Sequence, residues 1–423
     1  MTLRSLSVGF FLAQRYLRRS SPWTSLLVII IMLLTFLNVV VVRGILIGLP
    51  VGATASYERE YAGDVLVTAL PDQRHIDKTK FVEQTIQSIA GYKKHTSRYL
   101  SAAIVQANYE RLPKSNHLAD QVAVTAVGID PENEDAVTHL RALISEGRFL
   151  TSSDLKGVVM GDQLLERYAG NGGPESGGTP ETSGSVNNVF IGDNVRITMN
   201  GITGEYTLVG VLKGKVGENA RRIFLLDSQM KKVIVRSEDK KDEIAIRVDA
   251  SVSPTQFRDT LRASTVNNLA IIQIAGEAQG QFLDDITQTF ALLGDGVGLL
   301  GIIVAAITVF IMIFVVALNR QKEIGILKGI GINRQAIQFS YVFLALFYVL
   351  VGIGLGVAIL YFAIDPYITK HPIDFPFADG VLVAPWDDTL IRSLILIATT
   401  LLAGYLPARM IVQKNTINAI LGR

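Results

Sequence analysis

The chain has 423 residues, of which 49% are hydrophobic and only 18% charged, with no cysteine and a formal charge of +2. Soluble domains carry about 25% charged residues, so this chain is depleted, and its near-neutral balance offers no electrostatic footprint for nucleic acid. Without cysteine there is no disulfide, thiolate metal site or lipidated cysteine. In chain order, residues 1–21 come first. Leu3, Leu6, Phe10, Ala13 and Leu17 share one face of a helical wheel, and Arg4, Arg15, Arg18 and Arg19 gather on another. This pattern predicts an amphipathic helix lying on the cytoplasmic leaflet.

Four apolar runs follow. Arg19 to Arg43 encloses 23 uncharged residues, Asp295 to Arg320 encloses 24, and Arg334 to Asp365 encloses 30. The fourth, from Leu390 to Ala408, is interrupted only by Arg392. Each can cross roughly 30 Å of hydrocarbon at about 1.5 Å per residue. The expected organisation is span one at 22–48, an extracytoplasmic domain at 49–290, span two at 291–319 and a cytoplasmic segment at 320–336. Span three follows at 337–363, then an outer loop at 364–388, span four at 389–410 and a cytoplasmic tail at 411–423. Ala53-Thr54-Ala55 imitates a signal-peptide cleavage site, but signal h-regions run about 7–15 residues, so an uncleaved anchor is expected. Arginines and lysines flank the predicted inner ends: Arg15, Arg18 and Arg19, then Arg320, Lys322, Lys328 and Arg334, then Arg409 and Lys414. The 364–388 loop is acidic instead, which orients both termini inward.

The outer segment reads as α+β, in two lobes. Alternation at Val65, Val67 and Ala69 and at Val122, Val124 and Ala126 predicts strands. So do Val195/Ile197, Tyr206–Leu212, Ile223–Leu226 and Ile244/Ile246/Val248. Val82, Ile86 and Ile89 fall at helical spacing, and Ser253-Pro254 opens a helix with Phe257 and Leu261 inward. The Gly-, Ser- and Pro-rich run from Gly170 to Asn188 is expected to be a flexible surface loop. Phe282, Ile286 and Phe290, four apart, predict that the second spanning helix extends outward as a stalk.

Enzymatic signatures do not emerge. Gly210 to Lys215 imitates a phosphate-binding loop with the wrong spacing, and the histidines are scattered. No catalytic residue, metal ligand or cofactor is expected in this chain. Ionisable residues are nearly missing from the spans, which argues against an ion-driven pump or a channel. Gly294 and Gly298, like Gly352 and Gly356, are spaced for close helix packing, either within the chain or in a dimer. Between spans two and three, Lys322, Glu323, Ile324, Gly325, Ile326, Leu327, Lys328, Gly329, Ile330 and Gly331 form a short amphipathic helix with charged ends. Its apolar residues suit either a partner's groove or the bilayer surface.

This decapeptide resembles the coupling-helix signature of FtsX/MacB-type ABC permeases. The closing Leu402–Arg409 and Asn418-Ala-Ile-Leu421 look like the family's C-terminal pattern, with Asn415-Thr416-Ile417 replacing the usual Asp-Pro. Phe11–Arg18 and Val127–Glu134 look most like the lipoprotein-releasing LolC/LolE branch. The resemblance implies a multi-pass α-helical membrane protein, with four transmembrane helices and a large α+β extracytoplasmic domain inserted between helices 1 and 2. It also implies a separate ABC ATPase subunit, LolD- or MacB-like, that binds the ATP and docks on the coupling helix. A second permease chain, identical or related, would complete the assembly in the plasma membrane, with lipoprotein or lipid cargo. The family's mechanism is mechanotransmission, in which ATPase closure moves the coupling helices and stalks relay the motion outward. The alternatives are an FtsX-like regulator that activates an extracytoplasmic cell-wall hydrolase, and a membrane-anchored receptor or enzyme without an ATPase.

Overall fold

The computed structural model describes residues 3–19, 21–109, 120–169, 185–187, 189–237, 239–375 and 378–413. Nearly all of the Gly170–Asn188 loop and the Asn415–Leu421 pattern lie outside them. Two compact units emerge: residues 1–50, 284–373 and 380–423 in one, and 51–283 with 374–379 in the other.

The first unit is helical. Helix α1 (Leu3–Arg19) precedes α2 (Pro22–Ala62), the first of four helices long and apolar enough to cross a membrane. The others within the described residues are α7 (Gly280–Asn319), α9 (Arg334–Lys370) and α10 (Trp386–Val412). Their inward faces share one core that includes Met32, Phe36, Val309, Ile313, Tyr341, Leu344 and Leu396. Their outward faces are just as apolar, with Leu300, Val304, Ile307 and Ile311 exposed along α7 and Leu394 and Leu402 along α10. Helices that are hydrophobic all round suit hydrocarbon rather than water as solvent.

Helix α1 differs from its sequence-predicted face. It buries Gly9, Leu12, Ala13 and Tyr16, leaves Leu17 half-buried and exposes Phe10. The side chain of Leu3 lies outside the described residues. Gly9 explains the rotation: a Cβ there would sit 2.9 Å from the Ala336 carbonyl oxygen and 3.0 Å from the Phe339 Cβ. Only glycine lets α1 approach the start of α9 this closely, so the glycine face turns inward while Phe10 and Phe11 turn out.

The second unit is α+β. Its strands are β1 (Val65–Thr68), β2 (Ile76–Asp77), β3 (Tyr92–Gln106), β4 (Gln121–Ile129), β5 (Ile144–Gly147), β6 (Gly157–Gly161), β7 (Asn194–Met199), β8 (Ile202–Leu212), β9 (Arg222–Leu226), β10 (Lys240–Lys241), β11 (Glu243–Val248) and β12 (Ile271–Ile274). All but β2 and β10 join one sheet in the order β12-β1-β11-β3-β4-β9-β6-β8-β5, with β7 beside β3 and β8. Helices α3 (Thr79–Ser88), α4 (Pro131–Thr138), α5 (Asp227–Val233) and α6 (Pro254–Arg262) pack around it. Two main cores correspond to two lobes. One gathers Val67, Ile86, Ile244, Phe257 and Leu261, the other Val105, Val158, Ile197, Leu208 and Ile223. Strand β3 serves both: Tyr92–Arg98 pairs with β11, and Tyr99–Gln106 pairs with β4. At the start of α6, the Ser253 hydroxyl meets Thr255 Oγ1 at 2.8 Å instead of capping the backbone.

Candidate coupling site

Helix α8 (Gln321–Gly329) carries most of the sequence-predicted site. Its two faces differ. Ile324 is 1% exposed and Gly325 is buried, while Leu327 packs half-buried against the helical core. Lys322, Glu323 and Gly329 face out, as do Ile326 (56% exposed) and Ile330 (70%). The predicted apolar set is therefore divided, with Ile324 and Leu327 anchoring the helix and Ile326 and Ile330 left outside.

Both ends of α8 are held. At the start, the Arg320 guanidinium lies 4.6 Å above the Tyr16 ring and 3.9 Å from Glu323. At the end, Gly331 adopts φ +91, a left-handed conformation that glycine takes readily. Its N–H donates to the Lys328 carbonyl and the Ile332 N–H to the Leu327 carbonyl, which makes a Schellman cap. Ile332 and Leu327 then meet the same core, the apolar contact that accompanies such caps. Asn333 starts α9 at once, its side chain accepting from the Gln335 N–H at 3.0 Å. Lys328 Nζ donates to the Val412 carbonyl at 2.9 Å, bracing α8 on the end of α10. Burial and then Arg334 pull the Lys328 ammonium below the ordinary lysine range.

The four predicted packing glycines all meet α2. A Cβ on Gly294 would lie 2.9–3.1 Å from Arg43 atoms, and one on Gly298 3.8 Å from Val39. On α9, a Gly352 Cβ would fall 2.5 Å from the Met32 Cβ, and a Gly356 Cβ 2.3 Å from Phe36 Cδ1. Between the two spaced-glycine possibilities, these contacts are within the chain. Helix α2 contains a π-helical turn at Asn38–Val42 along this stretch, a feature frequent at functional sites.

Sequence reasoning treated Arg43 and Arg392 as punctuation of the apolar runs and so missed a ring of charges. Arg43 pairs with Asp295 and with Asp388, each at 2.8 Å. Arg392 closes the ring with Asp388 at 2.9 Å and Asp295 at 3.0 Å. Two cations and two anions from α2, α7 and α10 thus cancel at one end of the apolar segments. The available signal was their matched number at the run ends, since charges beside hydrocarbon are expensive unless paired.

In the second unit, the last turns of α2 are locked by a buried network. Arg98, 1% exposed, grips Glu134 through Nε at 3.0 Å and Nη2 at 2.6 Å, and also donates to the Tyr61 carbonyl at 2.6 Å. Burial pulls the Arg98 guanidinium down, but the Glu134 carboxylate outweighs it and holds the group above its ordinary value. Tyr61 donates to Glu243 at 2.7 Å and receives from Arg222 Nη1 at 2.7 Å. Glu60 accepts from the Lys215 N–H at 2.9 Å. Of the stalk residues, Ile286 and Phe290 are half-buried on α7, and the Phe282 side chain lies outside the described residues.

Comparison with known proteins bears on the identity of this arrangement. Residues 25–264 match the MacB-like periplasmic core domain, and residues 296–416 match the FtsX-like permease C-terminal family. Among solved structures, the chain is similar to the periplasmic region of MacB from Actinobacillus actinomycetemcomitans, at 12% identity and a TM-score of 0.34 over 54% of this chain and 97% of that one. It is also similar to the extracellular domain of the noncanonic ABC-type transporter YknZ from Gram-positive bacteria, at 12% identity and a TM-score of 0.31 over 50% and 98%. A domain of a putative permease protein from Porphyromonas gingivalis matches at 13% identity and a TM-score of 0.28 over 49% and 87%. No curated protein matches the chain. The first family match alone spans more than half of the 423 residues, and the chain belongs to the FtsX/MacB-type permeases, membrane components with four apolar helices and a MacB-like α+β periplasmic core domain.

Proposed function

We propose that this chain is the permease subunit of an ABC transporter that works by mechanotransmission, with ATP bound and hydrolysed in a separate subunit that docks on α8. The observation that carries the reading is the asymmetry of α8. One face is anchored through Ile324, Leu327 and Lys328, while Glu323, Ile326 and Ile330 stand exposed on the other. An isoleucine pair beside charged residues suits a groove on a partner protein. The basic residues around α1, α8 and the end of α10 favour the cytoplasm for this face, and the outer side for residues 51–283. Movement of α8 would pass to α9 and α10 through the Schellman cap and the Lys328 bond, and outward along α2 and α7. Two permease chains, identical or related, would pair with two ATPase copies. The Phe11–Arg18 and Val127–Glu134 segments favour lipoproteins or similar amphiphiles as cargo, as in the LolC/LolE branch.

Replacing Ile326 and Ile330 together with aspartate tests the docking. The expected result is loss of co-purification with the cognate ATPase and of ATPase stimulation, while the permease stays monodisperse. Unchanged pull-down and stimulation would overturn the assignment. Cargo is tested separately by depletion, in which lipoprotein build-up in the plasma membrane is expected and a septation defect without build-up refutes the transport role.

A further inference from the structure

Beside α8 lies a cavity that the coupling reading does not use. It has a volume of about 180 Å³ and opens where α1 gives way to α2 and where α7 ends. Its lining is mixed. Met312, Val316 and Leu344 are apolar, Arg19 and Arg320 are cationic, and Ser21 and Thr24 contribute hydroxyls. Along α7 the order follows the chain itself: Met312 and Val316 lie within the apolar run, and Arg320 stands just past its end.

The two charges are unequally satisfied. Arg320 has Glu323 at 3.9 Å, a distance at the limit of an ion pair. Arg19 has no acidic side chain in ion-pair distance among the described residues. Tyr16, 5% exposed, also lines the cavity, its ring stacked on that of Tyr341 at 5.7 Å. Two guanidiniums with hydroxyls and apolar side chains form a receptor for an anion that continues into hydrocarbon. Guanidinium is the group best suited to phosphate oxygens.

The depth of the cavity identifies the source of that anion. Trp23, 78% exposed, sits beside it at the start of α2, and Phe10 and Phe11 project from α1. Exposed aromatics at a span end mark the headgroup level of a bilayer, where basic clefts between helices take up anionic headgroups. We propose that this cavity seats the phosphate of an anionic phospholipid, with Arg19 and Arg320 on its oxygens and Met312, Val316 and Leu344 against the first part of its acyl chains. The proposal requires that the helices span a bilayer. It does not require the ATPase, so a chain that failed the docking test above would still retain the lipid.

The test uses the full chain in nanodiscs of phosphatidylcholine doped with phosphatidylglycerol, with native mass spectrometry counting the phosphatidylglycerol retained after gentle release. The wild type should retain it over phosphatidylcholine. Arg19→Gln and Arg320→Gln should each lower retention about tenfold, the size of one charge-assisted hydrogen bond. Arg18→Gln, an exposed neighbour on the same helix, should leave it unchanged. Equal losses from Arg18→Gln would reduce the effect to diffuse surface attraction and overturn the site. Val316→Phe, which fills the cavity and keeps every charge, should also lower retention, and it decides the matter with Arg19→Gln if Arg320→Gln fails to fold. Inorganic phosphate is the competing source. If it displaces phosphatidylglycerol at millimolar concentration and protects the pure phosphatidylcholine sample equally against thermal unfolding, the ligand is free phosphate and the lipid assignment falls.

Discussion

Replacing Gly352 by alanine should separate α9 from α2. The added Cβ would lie 2.5 Å from the Met32 Cβ and 3.1 Å from the Leu33 nitrogen, where ordinary contact begins at 3.4 Å. The shortfall at Met32 is 0.9 Å, and both obstacles lie on or next to the α2 backbone, so no side-chain rotation relieves them. Overpacking of this kind costs about 1–3 kcal/mol, a factor of about 5 to 150 in the folding equilibrium. Gly354 is an internal control two residues along, because its Cβ would meet nothing within 4 Å. Gly354→Ala should be neutral or slightly stabilising, since alanine is the better helix former. Denaturant titration of each variant in one detergent, followed by helical circular dichroism, measures the difference. Equal stabilities for Gly352→Ala and Gly354→Ala would refute the α2–α9 packing described above.

Two further outcomes are expected. In the charge ring, Asp388→Asn and Arg392→Gln should each destabilise the bundle. Their double-mutant cycle should show a coupling of about 1 kcal/mol, a value discounted for the partial exposure of the ring; strictly additive effects would mean that the ring contributes nothing. In the outer unit, Arg98→Met strands the fully buried Glu134 carboxylate and should cost about 3–5 kcal/mol, whereas Arg98→Met with Glu134→Leu should recover most of that loss. Hydrogen exchange at β3 amides in the full chain reports both, and equal protection in the single and double variants would count against the network.

The helical half of this molecule was legible because hydrocarbon imposes a long, unambiguous run of apolar residues. The strands around Val65, Val122, Val195 and Ile244 were legible from alternation, as half-buried sheet requires. Strand β3 was not, although it is the longest. Lys93 and Lys94 occupy its start, and the buried Arg98 stands at a position that an alternating pattern reserves for an apolar residue; the Glu134 partner that permits this is 36 residues away. Helix α8 was visible as a motif, but its orientation was not. Ile324, Ile326, Leu327 and Ile330 are equally apolar, and only the packing on α9, α10 and the core distinguishes the two that anchor it from the two that remain exposed. Gly331 illustrates the same limit, since the left-handed turn that stops α8, which requires its positive φ, is not visible in the motif itself.

The shared strand β3 limits how the outer domain can move. Fifteen residues of extended chain reach about 50 Å, pairing with β11 over Tyr92–Arg98, with a register shift at Arg247/Val248, and with β4 over Tyr99–Gln106. Any change in the angle between the lobes would have to bend β3 at Arg98–Tyr99, where its partner changes and where the buried Arg98–Glu134 pair holds it.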